Sequence, residues 1–136
     1  MHDTVQDASK DGYESADYYK AFVETAKRYI NTVKAKSGSG QTSESSMMGE
    51  VFGKDSVLSV TKDYTKPDGN DFSQQTVENI EEGQKFLSMG VVKGARNPVS
   101  HEEVNDLKDS GLFSEKDCLD ALSLLSHLFR RLDDKK

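Results

Sequence analysis

Residues 18–33 read YYKAFVETAKRYINTV, and this stretch decides the fold class because its apolar side chains recur at helical spacing. They fall at i, i+4, i+8, i+11 and i+15 and are Tyr18, Phe22, Ala26, Tyr29 and Val33. Ser15 or Asp17 can cap the start of this helix, and the glycines of the loop from Ser37 to Gly40 can end it. The pattern predicts a long amphipathic helix.

Two further segments carry the same periodicity. A second long helix is predicted from about Ser73 to Ala95, and Pro98 ends it because proline lacks a backbone N–H donor. A third is predicted from Lys116 to Asp133, opened by Ser114 with Asp117 in an acidic variant of the capping box. The apolar stripe of this last helix consists of Leu119, Leu122, Leu125, Phe129 and Leu132.

The remaining segments are short. Residues 3–9 can form a helix only if it docks on the body, with Gly12 marking a turn, and Met47 to Phe52 fit one or two helical turns. Residues 37–46 read SGSGQTSESS and predict a polar surface loop. Residues 57–64 are strand-like, but one strand without a partner cannot make a sheet. We therefore expect an all-α bundle of three long helices plus one or two short ones.

Composition limits the class of protein. The 136 residues predict a single domain over 1–136, and apolar runs of only a few residues exclude a membrane protein, because a spanning helix needs about 20. A single cysteine, Cys118, excludes internal disulfides and cysteine-built zinc sites and indicates a reducing, cytoplasmic location. The net charge of −6 means that any contact with nucleic acid must be local.

The second long helix carries three glycines, Gly83, Gly90 and Gly94, which are spaced so that they lie near one face. Each costs about 1 kcal/mol relative to alanine inside a helix. Such a face can approach another backbone closely. Two interpretations stay open, a tight crossing within the chain and a contact between subunits.

Arg96 and His101 are the residues most suited to chemistry. A guanidinium grips phosphate in a planar fork and an imidazole moves protons near neutral pH, so the pair suits a phosphodiester substrate. Lys85, Met89, Val92 and Arg96 share a helical face with Lys93 adjacent, which allows a dimer to assemble a small basic cleft.

Other interpretations of these groups remain. Arg96 can cap carbonyls at a helix end, with His101 bonded to backbone. His2 lies in a weakly structured terminus, and His127 lies beside an apolar stripe, where packing is its commoner use. The acidic cluster Glu78, Glu81 and Glu82 suits the first turns of a helix and lacks further ligands for a metal ion.

Residues 90–102, GVVKGARNPVSHE, followed by the leucine-rich last helix, resemble the C-terminal domain of the Ymh family, a branch of the HEPN superfamily. Residues 18–26, YYKAFVETA, resemble the first long helix of that family, and Ser46-Met47-Met48 resembles its short one. The resemblance covers about residues 10 to 133, and the RNPxxHE run is its most specific part.

The resemblance implies a HEPN-like helical homodimer that brings two R-x4-6-H motifs into one cleft and cleaves RNA without metal or other cofactor. Arg96 would bind the scissile phosphate and His101 would act as acid and base. Asn97 would support the turn or touch substrate, Glu102 would orient His101, and Lys93 would add positive charge. A toxin or phage-defence role, with an antitoxin or other regulatory protein as partner, is the expected biology. The alternative is a non-enzymatic dimeric interaction or nucleotide-binding module in which the motif is structural.

Overall fold

The computed structural model describes residues 1–98 and 101–133, which form an all-helical bundle, as the sequence predicts. Its elements are α1 (Asp3–Glu14), α2 (Tyr18–Ser37), α3 (Glu44–Val51), α4 (Gln74–Val91), a π-turn (Val92–Arg96), α5 (Val104–Asp109) and α6 (Glu115–Asp133). Val99, Ser100 and residues 134–136 lie outside the described residues, and the first two belong to the RNPxxH run.

Helix α2 is the central element, because it contacts α1, α3, α5, α6 and the π-turn. Asp17 caps its start, with Oδ1 accepting from the Lys20 backbone N–H at 3.1 Å. It ends at Gly38, which has a left-handed φ of +66° that suits glycine. The predicted start and stop of the longest helix are both confirmed.

Helix α1 continues through Gly12, so the predicted turn at that residue is wrong. A Cβ at Gly12 would lie 2.6 Å from the backbone nitrogen of Ala21. Glycine is therefore needed here because the backbones of α1 and α2 approach closely, not because the chain turns.

His2 is well anchored, contrary to the weakly structured terminus expected from the sequence. Its Nδ1 accepts from the Thr4 N–H at 3.1 Å and its backbone N–H donates to Ser126 Oγ at 2.7 Å. Its Nε2 lies 2.5 Å from Asp133 Oδ2, and its ring stacks on Phe129 at 5.1 Å between centroids. The start of the chain is thus fixed to α6.

The core joins α2, α4 and α6 around a buried polar network. Tyr29 Oη lies 2.7 Å from Ser88 Oγ, and Gln84 Nε2 donates to Tyr29 Oη at 3.1 Å and to the Leu128 carbonyl at 3.2 Å. Burial raises the pKa of Tyr29 to about 12, although both side-chain hydrogen bonds act in the opposite direction. The network explains why the polar side chain of Gln84 is buried among the apolar residues of the bundle.

Glu81 anchors the loop that precedes α4, where the sequence showed only a strand-like stretch. Its buried carboxylate accepts from the backbone N–H groups of Val60 and Thr61, both at 3.0 Å, and from Ser59 Oγ at 2.8 Å. Glu81 was expected in the first turns of its helix as a favourable charge. Its carboxylate has a further role that the sequence did not predict, because it holds the loop through these hydrogen bonds.

The two glycines of α4 and the glycine of the π-turn face open space. No heavy atom outside the local helix lies within 4 Å of a Cβ built at Gly83, Gly90 or Gly94. The crossing within the chain that their spacing allowed is therefore wrong for the described residues, and the contact between subunits remains as the open interpretation.

Candidate functional site

Arg96 ends a π-turn that the sequence did not predict. The expected helix to Ala95 is regular only to Val91, and the Asn97 N–H then donates to the Val92 carbonyl at 3.0 Å, five residues back. Pro98 cannot donate a backbone hydrogen bond, which removes the next bond that would continue an α-helix. Widened turns of this kind occur frequently at functional sites.

The π-turn fixes Arg96 to the main core. Val92 and Ala95 are buried among the side chains of that core, whereas Lys93 is exposed. The predicted basic face included Val92, but this residue is buried. In a single chain the predicted face is therefore not continuously exposed to solvent.

Glu44, the first residue of α3, holds Arg96 in place. Arg96 Nε donates to Glu44 Oε1 at 3.3 Å, and the Arg96 side chain remains 40% exposed. The same guanidinium makes no other hydrogen bond within residues 1–98 and 101–133. Within this part of the chain its two terminal amino groups have no acceptor, so they can bind an oxyanion.

Sequence reasoning missed Glu44 because it lies 52 positions from Arg96 in the chain. An acidic residue at the start of a helix is explained sufficiently by the helix dipole, so nothing local signals a second role. Its Oε2 is buried and has no hydrogen-bond partner among the described residues.

His101 lies on an exposed turn after Pro98. The backbone N–H groups of His101 and Glu102 both donate to the Pro98 carbonyl at 3.1 Å. Within the described chain, the imidazole has no hydrogen bond or ion pair, and none joins it to the exposed Glu102. The expected orientation of His101 by Glu102 therefore has no counterpart among these contacts.

The predicted residues lie on either side of Pro98 in the chain. Arg96 and the half-buried Asn97 lie at the end of the π-turn, and Asn97 supports that turn through its backbone N–H. His101 and Glu102 lie beyond Pro98, and no described contact joins the side chains of Arg96 and His101. One chain thus presents the two groups separately to solvent.

The described residues form neither a metal-binding cluster nor a membrane-spanning helix. Across positions 1–98 and 101–133, no three His, Cys, Asp or Glu side chains cluster in a way that could hold a metal ion. No helix in this part of the chain is long and apolar enough to cross a membrane.

A family model matches nearly the whole chain. The model of a family described as "Protein of unknown function (Hypoth_ymh)" matches residues 1–132. No curated protein and no solved structure matches the chain.

Proposed function

The chain belongs to the Hypoth_Ymh family, and we propose that it is a dimeric RNA endonuclease of the HEPN type that needs no metal and acts through Arg96 and His101. A cytoplasmic toxin or phage-defence role, restrained by an antitoxin or other regulatory protein, follows from such an activity, because uncontrolled RNA cleavage harms the cell that produces it.

The observation that carries this proposal is that Glu44 binds the Arg96 guanidinium through Nε alone. A guanidinium has five N–H donors in a rigid fork, and Glu44 accepts only the one on Nε. The ion pair and the π-turn together hold the fork in one orientation. The terminal N–H groups can then bind two oxygens of a phosphate, and this bidentate geometry is the strongest that arginine offers.

His101 supplies the proton transfer. In RNA, the 2′-oxygen attacks the adjacent phosphorus and the bond from phosphorus to the 5′-oxygen breaks, leaving a cyclic phosphate and a 5′-hydroxyl. One proton leaves the 2′-hydroxyl and one reaches the 5′-oxygen, so the reaction needs a base and an acid. Two copies of His101 in a dimer provide both groups, and neither water nor metal is consumed.

The second copy is proposed to lie on the glycine face, defined as Ile80, Gly83, Leu87 and Gly90 of α4 together with Gly94 of the π-turn. The four residues in α4 follow the i, i+3, i+7 and i+10 spacing of a two-helix contact. Small residues let two helix backbones approach closely, and the space beside each glycine is open.

Exposed apolar side chains on and beside the glycine face support its proposed role as the contact between subunits. Leu87 is 42% exposed and Ile80 is 38% exposed, and Phe86 beside them is 60% exposed. The face ends two residues before Arg96, so a crossing near Gly94 brings the motifs of both copies together. Lys93, which is exposed on the π-turn, adds positive charge there.

The test is cleavage of total RNA in EDTA by the wild type, His101→Ala and the control His127→Ala. The wild type and the control should cleave, and His101→Ala should lose at least about 100-fold in rate. Because the imidazole has no bond among the described residues, His101→Ala should keep the wild-type melting temperature. Equal cleavage by His101→Ala would contradict the proposal.

One observation favours the alternative, a dimeric binding module without catalysis. Glu102, Glu103 and Asp106 are exposed beside His101, and their charge disfavours a polyanion at this turn. An intact dimer that cleaves no RNA would support this second function.

A further inference from the structure

The two motif residues are held by different apolar clusters. Arg96 follows Ala95, which is buried in the main core. Every residue from 101 to 106 is exposed, and the first buried residue after them is Leu107. Leu107 belongs to a separate small cluster with Tyr19 and Val23. The position of His101 therefore does not depend on the main core alone.

Helix α5 depends on this small cluster. Six residues are too few for a stable isolated helix, so α5 needs a docking contact. Leu107 supplies it by packing against Tyr19 and Val23 near the start of α2, and Phe113 covers the same cluster with its ring 4.5 Å from that of Tyr19.

An ion pair adds to the same contact. Lys108 Nζ lies 2.7 Å from Asp17 Oδ2, while Asp17 Oδ1 caps α2. Burial alone would raise the pKa of Asp17, but the Lys108 hydrogen bond and the Lys20 backbone N–H outweigh it and lower that pKa. Asp17 thus joins the start of α2 to the end of α5.

We propose that this clasp, in which Leu107 and Lys108 dock on Asp17, Tyr19 and Val23, sets where His101 lies relative to Arg96. The imidazole makes no described bond of its own, and α5 begins only three residues after it. Leu107 and Lys108 are accordingly positioning residues, and their effect on cleavage rests on the proposed function.

The structural half of the proposal can be tested without RNA. A nitroxide is attached at Lys93→Cys on the π-turn in a Cys118→Ala background, and paramagnetic broadening of the His101 amide and ring signals is measured. Lys108→Met and Asp17→Asn each remove the ion pair, and asparagine still caps α2. Lys116→Met is the matched control, because Lys116 is exposed and has no described ion pair.

Both ion-pair variants should change the broadening at His101, and Lys116→Met should leave it unchanged. Leu107→Ala should change it further, with Leu112→Ala as the control because Leu112 is 64% exposed. Unchanged broadening in folded Lys108→Met and Asp17→Asn would overturn the clasp, even if Leu107→Ala fails to fold.

Cleavage kinetics test the consequence. Lys108→Met should lower kcat about 10- to 100-fold with KM near that of the wild type, because Arg96 still binds phosphate while His101 is displaced. Lys108→Arg should restore kcat. If the wild type cleaves no RNA, the proposed function fails. The paramagnetic broadening at His101 still shows whether the clasp sets the position of this residue. If cleavage is normal in Lys108→Met, the clasp fails while the proposed function stands.

Discussion

Replacing Gly83 and Gly90 by alanine should raise the stability of the single chain and weaken the dimer. Both glycines lie inside α4, and a Cβ at either position meets no heavy atom outside the local helix within 4 Å. In one chain the new methyl groups therefore cause no clash. In the proposed dimer the same methyl groups would lie between the two helix backbones and hold them apart.

The gain in the single chain follows from helix propensity. Each Gly→Ala change inside a helix stabilises by about 1 kcal/mol. The two positions lie roughly 10 Å apart along the helix at 1.5 Å per residue, so their effects should add to about 2 kcal/mol. A loss of only about 1.4 kcal/mol in association would still weaken the dimer tenfold.

Two measurements separate these effects. Urea unfolding at a concentration where the chain is monomeric gives the free energy of unfolding, and sedimentation equilibrium gives the Kd of the dimer. Gly49→Ala is the matched control, because Gly49 lies in α3 and a Cβ there makes only ordinary contact with Met89 at 3.8 Å. A double variant that dimerises as tightly as the wild type would refute the glycine face as the subunit contact.

Three further predictions concern buried polar groups. Glu81→Gln should lower the free energy of unfolding by about 2 kcal/mol, because a neutral amide oxygen accepts the hydrogen bonds of the 59–61 loop more weakly than a carboxylate and the amide NH2 group cannot accept at all, and urea unfolding measures this. Tyr19→Phe should leave that free energy unchanged or raise it by up to about 1 kcal/mol, since Tyr19 Oη is buried with no partner among the described residues, and a loss above 1 kcal/mol in thermal unfolding would contradict this. The pKa of Tyr29 is raised from an ordinary value of 10 to about 12, so the folded chain holds the phenolic proton more tightly than the unfolded chain does. The contribution of this group to the free energy of unfolding is therefore fully present below pH 10, and about 2 to 3 kcal/mol is lost as the pH rises towards 12. Urea unfolding at pH 9 and pH 11.5 should show that fall in the wild type and a smaller one in Tyr29→Phe.

The helices could be predicted where local signals agree. Asp17 and Gly38 bound α2 as expected, and the reciprocal hydrogen bonds of Ser114 and Asp117 open α6 as a capping box. These signals are contained within a few residues of the chain, so the sequence alone displays them.

The features that the sequence did not predict depend either on contacts between residues distant in the chain or on an adjustment of the backbone. The Glu44 contact with Arg96 and the Glu81 contact with the loop at Val60 join residues far apart, and no local pattern encodes them. The approach of Ala21 explains Gly12 better than a turn does. The π-turn at Val92 combines the missing donor of Pro98 with local packing, which helical periodicity does not reveal.

The chemical nature of the 3′ ends of cleaved RNA tests the central claim most directly. Purified wild type is incubated with RNA in EDTA, and the fragments are analysed by mass spectrometry beside those from His101→Ala. The mechanism predicts cyclic phosphate ends from the wild type and no fragments above background from His101→Ala. Fragments with 3′-hydroxyl ends, or the same fragments from both proteins, would contradict attack by the 2′-oxygen with His101 as the proton-transfer group.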